Sequence, residues 1–143
     1  MNKVISKDRP TSKFDAMSII LWVLQVLLAA AFLAHGLFFL SPPAEMMAML
    51  NATTSPALRL FIGVAEVLAA VGLTLPGITR IQPRLVAWAA AGLMILMVNA
   101  AVFHTARGET SSAVTTAILF VVTAFVAYMR WKVKPISPRT DAK

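Results

Sequence analysis

The sequence predicts an all-α integral membrane protein, an up-down-up-down bundle of four transmembrane helices with both termini cytoplasmic. Three observations carry this. Four long stretches, Met17–Leu40, Leu58–Leu75, Leu85–Phe103 and Ala113–Met129, hold almost no charge. Each is close to the roughly 20 apolar residues that cross about 30 Å of hydrocarbon. The 143-residue chain is 59% hydrophobic and only 13% charged, whereas soluble domains carry about 25% charged residues. Finally, the basic residues are sorted. Lys3, Lys7, Arg9, Lys13, Arg80, Arg84, Arg130, Lys132, Lys134, Arg139 and Lys143 fall in the two tails and the middle connection, while only Arg59 and Arg107 fall in the other two. Lys and Arg in short flanks accumulate on the cytoplasmic side.

The elements follow in order. Residues 1–16 are polar, with Pro10, Thr11 and Ser12, and read as a cytoplasmic tail. The first span could be a secretory signal, but its apolar run exceeds the roughly 7–15 residues of a signal core, so a retained helix is expected. Ser41-Pro42-Pro43 stops it, because proline lacks an amide donor and restricts its predecessor. In the external connection, Ala44–Leu50 is a short run of helix formers suited to an interfacial turn or a lid. Ser55-Pro56 opens the second span and Pro76-Gly77 is expected to end it. Pro83 introduces the third. Gly108 and Glu109 mark the turn into the fourth, with Ser111 and Ser112 as candidate N-caps. Residues 17–131 thus form one membrane domain, and 132–143 a basic cytoplasmic tail. Short connections force sequential helices antiparallel. Helices in lipid associate through close backbone approach at small residues. Gly63, Ala65, Ala69 and Gly72 in span two and Ala87, Ala90, Ala91 and Gly92 in span three predict that these two pack tightest.

The chain has no cysteine, which excludes disulfides, thiolate-ligated metals and thiol electron relays. A net charge of +7 reads as a topology signal with attraction to anionic membrane lipid. Interleaved aromatics and recognisable modules are lacking, so nucleic acid is not an expected partner. Trp22, Trp88, Tyr128 and Trp131 all fall at the cytoplasmic ends of their spans, as an interfacial aromatic belt requires.

Within this apolar frame Glu66 stands out. Counted from Leu58 at 1.5 Å per residue, it lies about 12 Å deep. An ionisable group at that depth is costly enough to imply a use. Asn99 is expected about 6–9 Å deep from Phe103, with His35, Arg59 and His104 at the outer rim and Gln25 near mid-bilayer. Side chains lean toward their helix N-terminus, so Glu66 leans outward while His35, Asn99 and His104 lean inward, toward one layer. Asn99 and His104 are about 140° apart around their helix and do not face one point equally well. Arg59 shares a face with Glu66 two turns away, but leans toward water, where it can snorkel; a water or a histidine is expected between them. Each residue also has a structural reading: Arg59 as an interfacial anchor, the histidines at wet helix ends, Gln25 and Asn99 as interhelical hydrogen bonds, and Glu66 as a protonated, bonded carboxyl. The histidines lack helical ligand spacing, so no metal is expected.

The segments LRLFIGVAEVLAAVGLTLP (58–76) and AAAGLMILMVNAAVFHTARGE (89–109), with His35-Gly36 near the end of the first helix, resemble the DoxX-like family of small membrane proteins. The similarity covers about Leu21 to Met129. Its most specific parts are Gly63-x-x-Glu66 and the run from Ala101-Val102-Phe103-His104 to Arg107-Gly108-Glu109. The resemblance implies a four-helix bacterial inner-membrane protein and carries over Glu66 and His104 as positions of interest. It also implies an association with quinone-linked redox biology and a membrane redox partner protein, since the family is named for a subunit of a thiosulfate–quinone oxidoreductase. Animal relatives resemble assembly chaperones for receptors. Related-looking bundles that oxidise thiols with quinone depend on cysteines, which this chain lacks.

The leading functional expectation is an accessory rather than catalytic subunit. It would bind a small amphipathic ligand, with quinone the candidate cofactor, in an outer-leaflet pocket of Glu66, His35, Asn99 and His104, with Arg59 and Gln25 nearby. A small proton-coupled transporter working through Glu66, and a scaffold whose partner packs on a lipid-facing surface, are the alternatives.

Overall fold

The computed structural model describes residues 15–139; most of the N-terminal tail, and residues 140–143 of the C-terminal one, lie outside the described residues. Among the described residues every regular element is helical. Helix α1, Ala16–Leu40, starts where the Asp15 carboxylate accepts a hydrogen bond from the Met17 amide at 3.3 Å, the usual way to satisfy a helix's orphan donors. It stops at Ser41, ahead of Pro42 and Pro43. The Ala44–Leu50 run lies in a separate ten-residue helix, α2, Ala44–Thr53, of which only Leu50 is buried.

Helix α3, Pro56–Thr79, opens with Pro56 in its first turn and the Ser55 hydroxyl accepting from the Leu58 amide at 3.3 Å. It then runs through Pro76 and ends only at Arg80, whose φ of 59° makes a left-handed cap. The expectation that Pro76-Gly77 ends this helix is therefore corrected. In a membrane bundle, neighbouring groups can satisfy the backbone that a proline frees, so proline interrupts less. Helix α4 spans Leu85–Ala106 and α5 Thr110–Tyr128, the latter prolonged by one π-helical turn, Met129–Val133. Four helices are long and apolar enough to cross a membrane. Large apolar side chains such as Leu27, Phe61, Ile95 and Val121 face outward, as lipid solvent allows.

The buried residues of α3, Arg59, Gly63, Glu66, Ala70, Leu73 and Gly77, recur at intervals of three and four. They form one stripe that runs the length of the helix. The matching stripe on α1 is Leu21, Gln25, Leu28, Ala29, Phe32 and Gly36. The central core joins Leu28, Phe32, Ala70, Leu73, Ala90, Leu93, Met97 and Val126 from all four spans. Packing is closest between α1 and α3 and between α4 and α5, and looser between α3 and α4. This corrects the expectation from small residues. Gly72 does meet α4, at Ala89, but Gly63 turns to α1 and Gly92 faces open space.

Candidate functional site

The α1 and α3 stripes come close together at two glycines near the start of α2. A Cβ added at Gly36 would sit 2.9 Å from the Gly63 carbonyl oxygen and 3.1 Å from the Glu66 Cβ. A Cβ at Gly63 would sit 2.9 Å from Leu40 and 3.0 Å from the Gly36 carbonyl oxygen. Only glycine fits at both positions, and their joint absence of side chains brings the two backbones together. The next residue to Gly36 is His35, and one turn beyond Gly63 is Glu66. His35 Nδ1 and Glu66 Oε2 consequently lie 2.7 Å apart. The His35-Gly36 and Gly63-x-x-Glu66 motifs are thus the two halves of one joint.

The partners differ in exposure. The Glu66 side chain is 4% exposed and that of His35 52%. One proton joins them, with either an imidazole N–H donating to the carboxylate or a carboxyl O–H donating to a bare Nδ1. Either way Nδ1 is committed, which sets the role left to Nε2. Among the described residues His35 has no second polar partner, and its ring packs on Phe39 at 4.5 Å between centroids.

Arg59 occupies the same stripe two turns earlier, yet it does not reach out to water. It is 7% exposed, and its Nη1 donates to the Phe39 carbonyl, one of the last carbonyls of α1 that the helix itself leaves unpaired. Its Nε is buried without a partner among the described residues. The expectation of a snorkelling side chain gives way to a cap on the neighbouring helix, and His35 rather than Arg59 is the partner of Glu66.

The other three expected residues lie apart. Asn99 is exposed and its Nδ2 donates to the Ile95 carbonyl of its own helix at 2.7 Å. His104 belongs to the α4–α5 turn, where Nδ1 lies 2.6 Å from Glu109 Oε2 while Arg107 Nε donates to Oε1 at 2.7 Å. Arg107 and His104 together hold the Glu109 carboxylate below its ordinary range. Gln25 is fully buried in the opposite half of the bundle. Its Nε2 donates to the Leu73 carbonyl at 2.7 Å, and its Oε1 accepts from Arg130 Nε at 2.6 Å. The six residues therefore do not form one layer: His35 and Glu66 meet, Arg59 flanks them on α3, and Gln25, Asn99 and His104 serve other contacts. Neither the cleft beside Arg130 nor the shallow hollow at Ala101, Val102, Thr105 and Ala106 is lined by Glu66.

Sequence reasoning missed Arg130 as an interior residue, placing it instead in the basic flank. The available signal was Gln25, a lone amide deep in the first span that needs a charged or polar partner. No set of three or more His, Asp and Glu side chains converges among the described residues.

A bundle of four apolar helices, joined across α1 and α3 by a histidine–carboxylate pair, defines a small multi-pass membrane protein. The family model described as the DoxX-like family matches residues 23–126, and the chain belongs to that family. No curated protein and no solved structure matches the chain.

Proposed function

We propose that the chain is an accessory, small-ligand-binding membrane subunit in which His35 and Glu66 receive the polar head of an amphipathic molecule such as a quinone. The observation that carries this reading is the asymmetry of the pair. A buried carboxyl fixes one nitrogen of an imidazole whose ring is more than half exposed. With Nδ1–H donating to the carboxylate, Nε2 accepts a hydroxyl proton; with Nε2 protonated, it donates to a carbonyl. Such a group suits both the quinol and the quinone head, while the apolar outer faces of α1 and α3 accommodate the tail.

The orientation supported by the eleven-to-two distribution of Lys and Arg puts both termini in the cytoplasm and the pair in the outer leaflet of a bacterial inner membrane. An accessory role also calls for a membrane redox partner that delivers or consumes the ligand.

Equilibrium binding of a short-chain benzoquinone to the purified chain in detergent tests the reading. Saturable binding weakened at least about tenfold by His35→Ala, a loss of about 1.4 kcal/mol, and left intact by Asn99→Leu is the expected result. Binding unchanged by both His35→Ala and Glu66→Ala overturns it.

A further inference from the structure

At the end of the bundle that carries both chain ends, a cleft of about 430 Å³ opens between the start of α1, the end of α3 and residues 134–137. Its lining includes Trp22, Arg80, Arg130, Lys134 and the hydroxyl-bearing Ser18 and Ser137, and among the described residues no acidic one. Gly77 makes room for it: a Cβ there would sit 2.8 Å from the Trp22 ring and 3.0 Å from Ile136. The chain beyond the π turn is held across this end by the Arg139 amide donating to the Arg80 carbonyl at 3.0 Å.

The cations around the cleft are unequally satisfied. Lys134 is paired with Asp15. Arg130 is 6% exposed and stacked over Trp22 at 5.5 Å, with Nε on Gln25 and Nη1 on the Lys134 carbonyl. Its Nη2 is buried with no partner among the described residues. A buried charged donor left unpaired carries a desolvation penalty, and an anion beside it removes that penalty. Arg80 is exposed at the cleft mouth and has no ion-pair partner among the described residues. The unpaired Arg130 Nη2, the Arg80 guanidinium, hydroxyls and an aromatic wall match the tetrahedral oxygens of a phosphate, which arginine donors bind by charge-assisted hydrogen bonds. Trp88 and Trp131, stacked edge to face at 4.9 Å, put this end of the bundle at headgroup level.

We infer that this cleft is a binding site for a phosphate group, held between Arg130 and Arg80 at the membrane surface. The group is either a lipid headgroup or a free phosphate. The site is separate from the His35–Glu66 pair and does not depend on it.

The test uses the purified full chain in neutral detergent. Thermal protection is titrated with phosphatidylglycerol, with phosphatidylcholine, and with inorganic phosphate against chloride at matched ionic strength. Protection by phosphatidylglycerol beyond phosphatidylcholine identifies a lipid phosphate with anionic headgroup selectivity; protection by inorganic phosphate beyond chloride identifies a free one. Arg80→Gln should raise the half-saturating concentration about fivefold, and Arg130→Gln by more. Because Arg130→Gln also cuts the contact to Gln25, Arg80→Gln carries the test should that variant fail to fold. Lys132→Gln removes the same charge from an exposed side chain outside the cleft and should leave the titration as in wild type. Protection by neither lipid and none by phosphate overturns the inference, as does a Lys132→Gln effect equal to that of Arg80→Gln.

Discussion

The two halves of the α1–α3 interface use polar groups in opposite ways. Near α2, a buried acid meets a histidine that stays more than half exposed, so the contact is open on one side. Near the chain ends, Gln25 is fully enclosed and holds Leu73 and Arg130, so that contact is closed on all sides. Both sit on the same helical stripes. The difference is exposure. A closed polar contact mainly fixes how helices pack, whereas an open one leaves an atom free to meet something else. This is the reason for seeking ligand chemistry at His35 and architecture at Gln25.

The sharpest way to break the comparison is at the closed contact. Gln25→Leu preserves bulk but strips Arg130 Nε of its acceptor, and losing a hydrogen bond to a charged group costs about 1.5–3 kcal/mol. Unfolding of the variant in detergent by circular dichroism should show this loss, and a variant as stable as wild type would show that the closed contact adds nothing. Gly36→Ala comes next. It places a methyl 2.9 Å from the Gly63 carbonyl oxygen, and such overpacking costs about 1–3 kcal/mol. It should also separate His35 from Glu66, visible as a shift in the His35 ring resonances, whereas an unmoved resonance would mean that the helices absorb the methyl without parting.

The smallest effect concerns a third polar cluster, local to the α4–α5 turn. Arg107, then His104, lower the Glu109 pKa from its ordinary 4.5. A carboxylate with a depressed folded pKa contributes stability that is complete above its unfolded value and is lost as pH falls through the folded one. Hydrogen-exchange protection at Gly108–Thr110 should therefore weaken as pH drops below about 4.5, without unfolding the spans. Protection that does not change on acidification would show that the cluster is not holding the turn.

The spans were legible because their signal is long and repeated: every residue of an apolar run votes for the same solvent. The Pro76 stop was not, since that rule comes from water, where a freed carbonyl has no neighbouring helix to help it. The candidate site was half legible. His35 and Glu66 were identifiable because each is chemically out of place and each adjoins a glycine that governs approach. Asn99 and His104 are expected at a similar depth from residue counting alone, but such counting says nothing of azimuth, and each finds a nearer partner, at Ile95 and Glu109 respectively. Arg130 was obscured by its position. At the start of a basic flank it counts as a topology signal, while the π turn that carries it adds a contact with Gln25 across 105 positions of sequence.

That long separation bears on biogenesis. A chain emerging from the ribosome delivers Gln25 with its first hydrophobic segment and Arg130 only with its last. In the interval the amide can turn to the Leu73 carbonyl, 48 positions on, but its oxygen stays without the guanidinium. Nascent chains arrested before Arg130 should accordingly hold α1 less firmly than the released protein, so that insertion of the final segment latches the first.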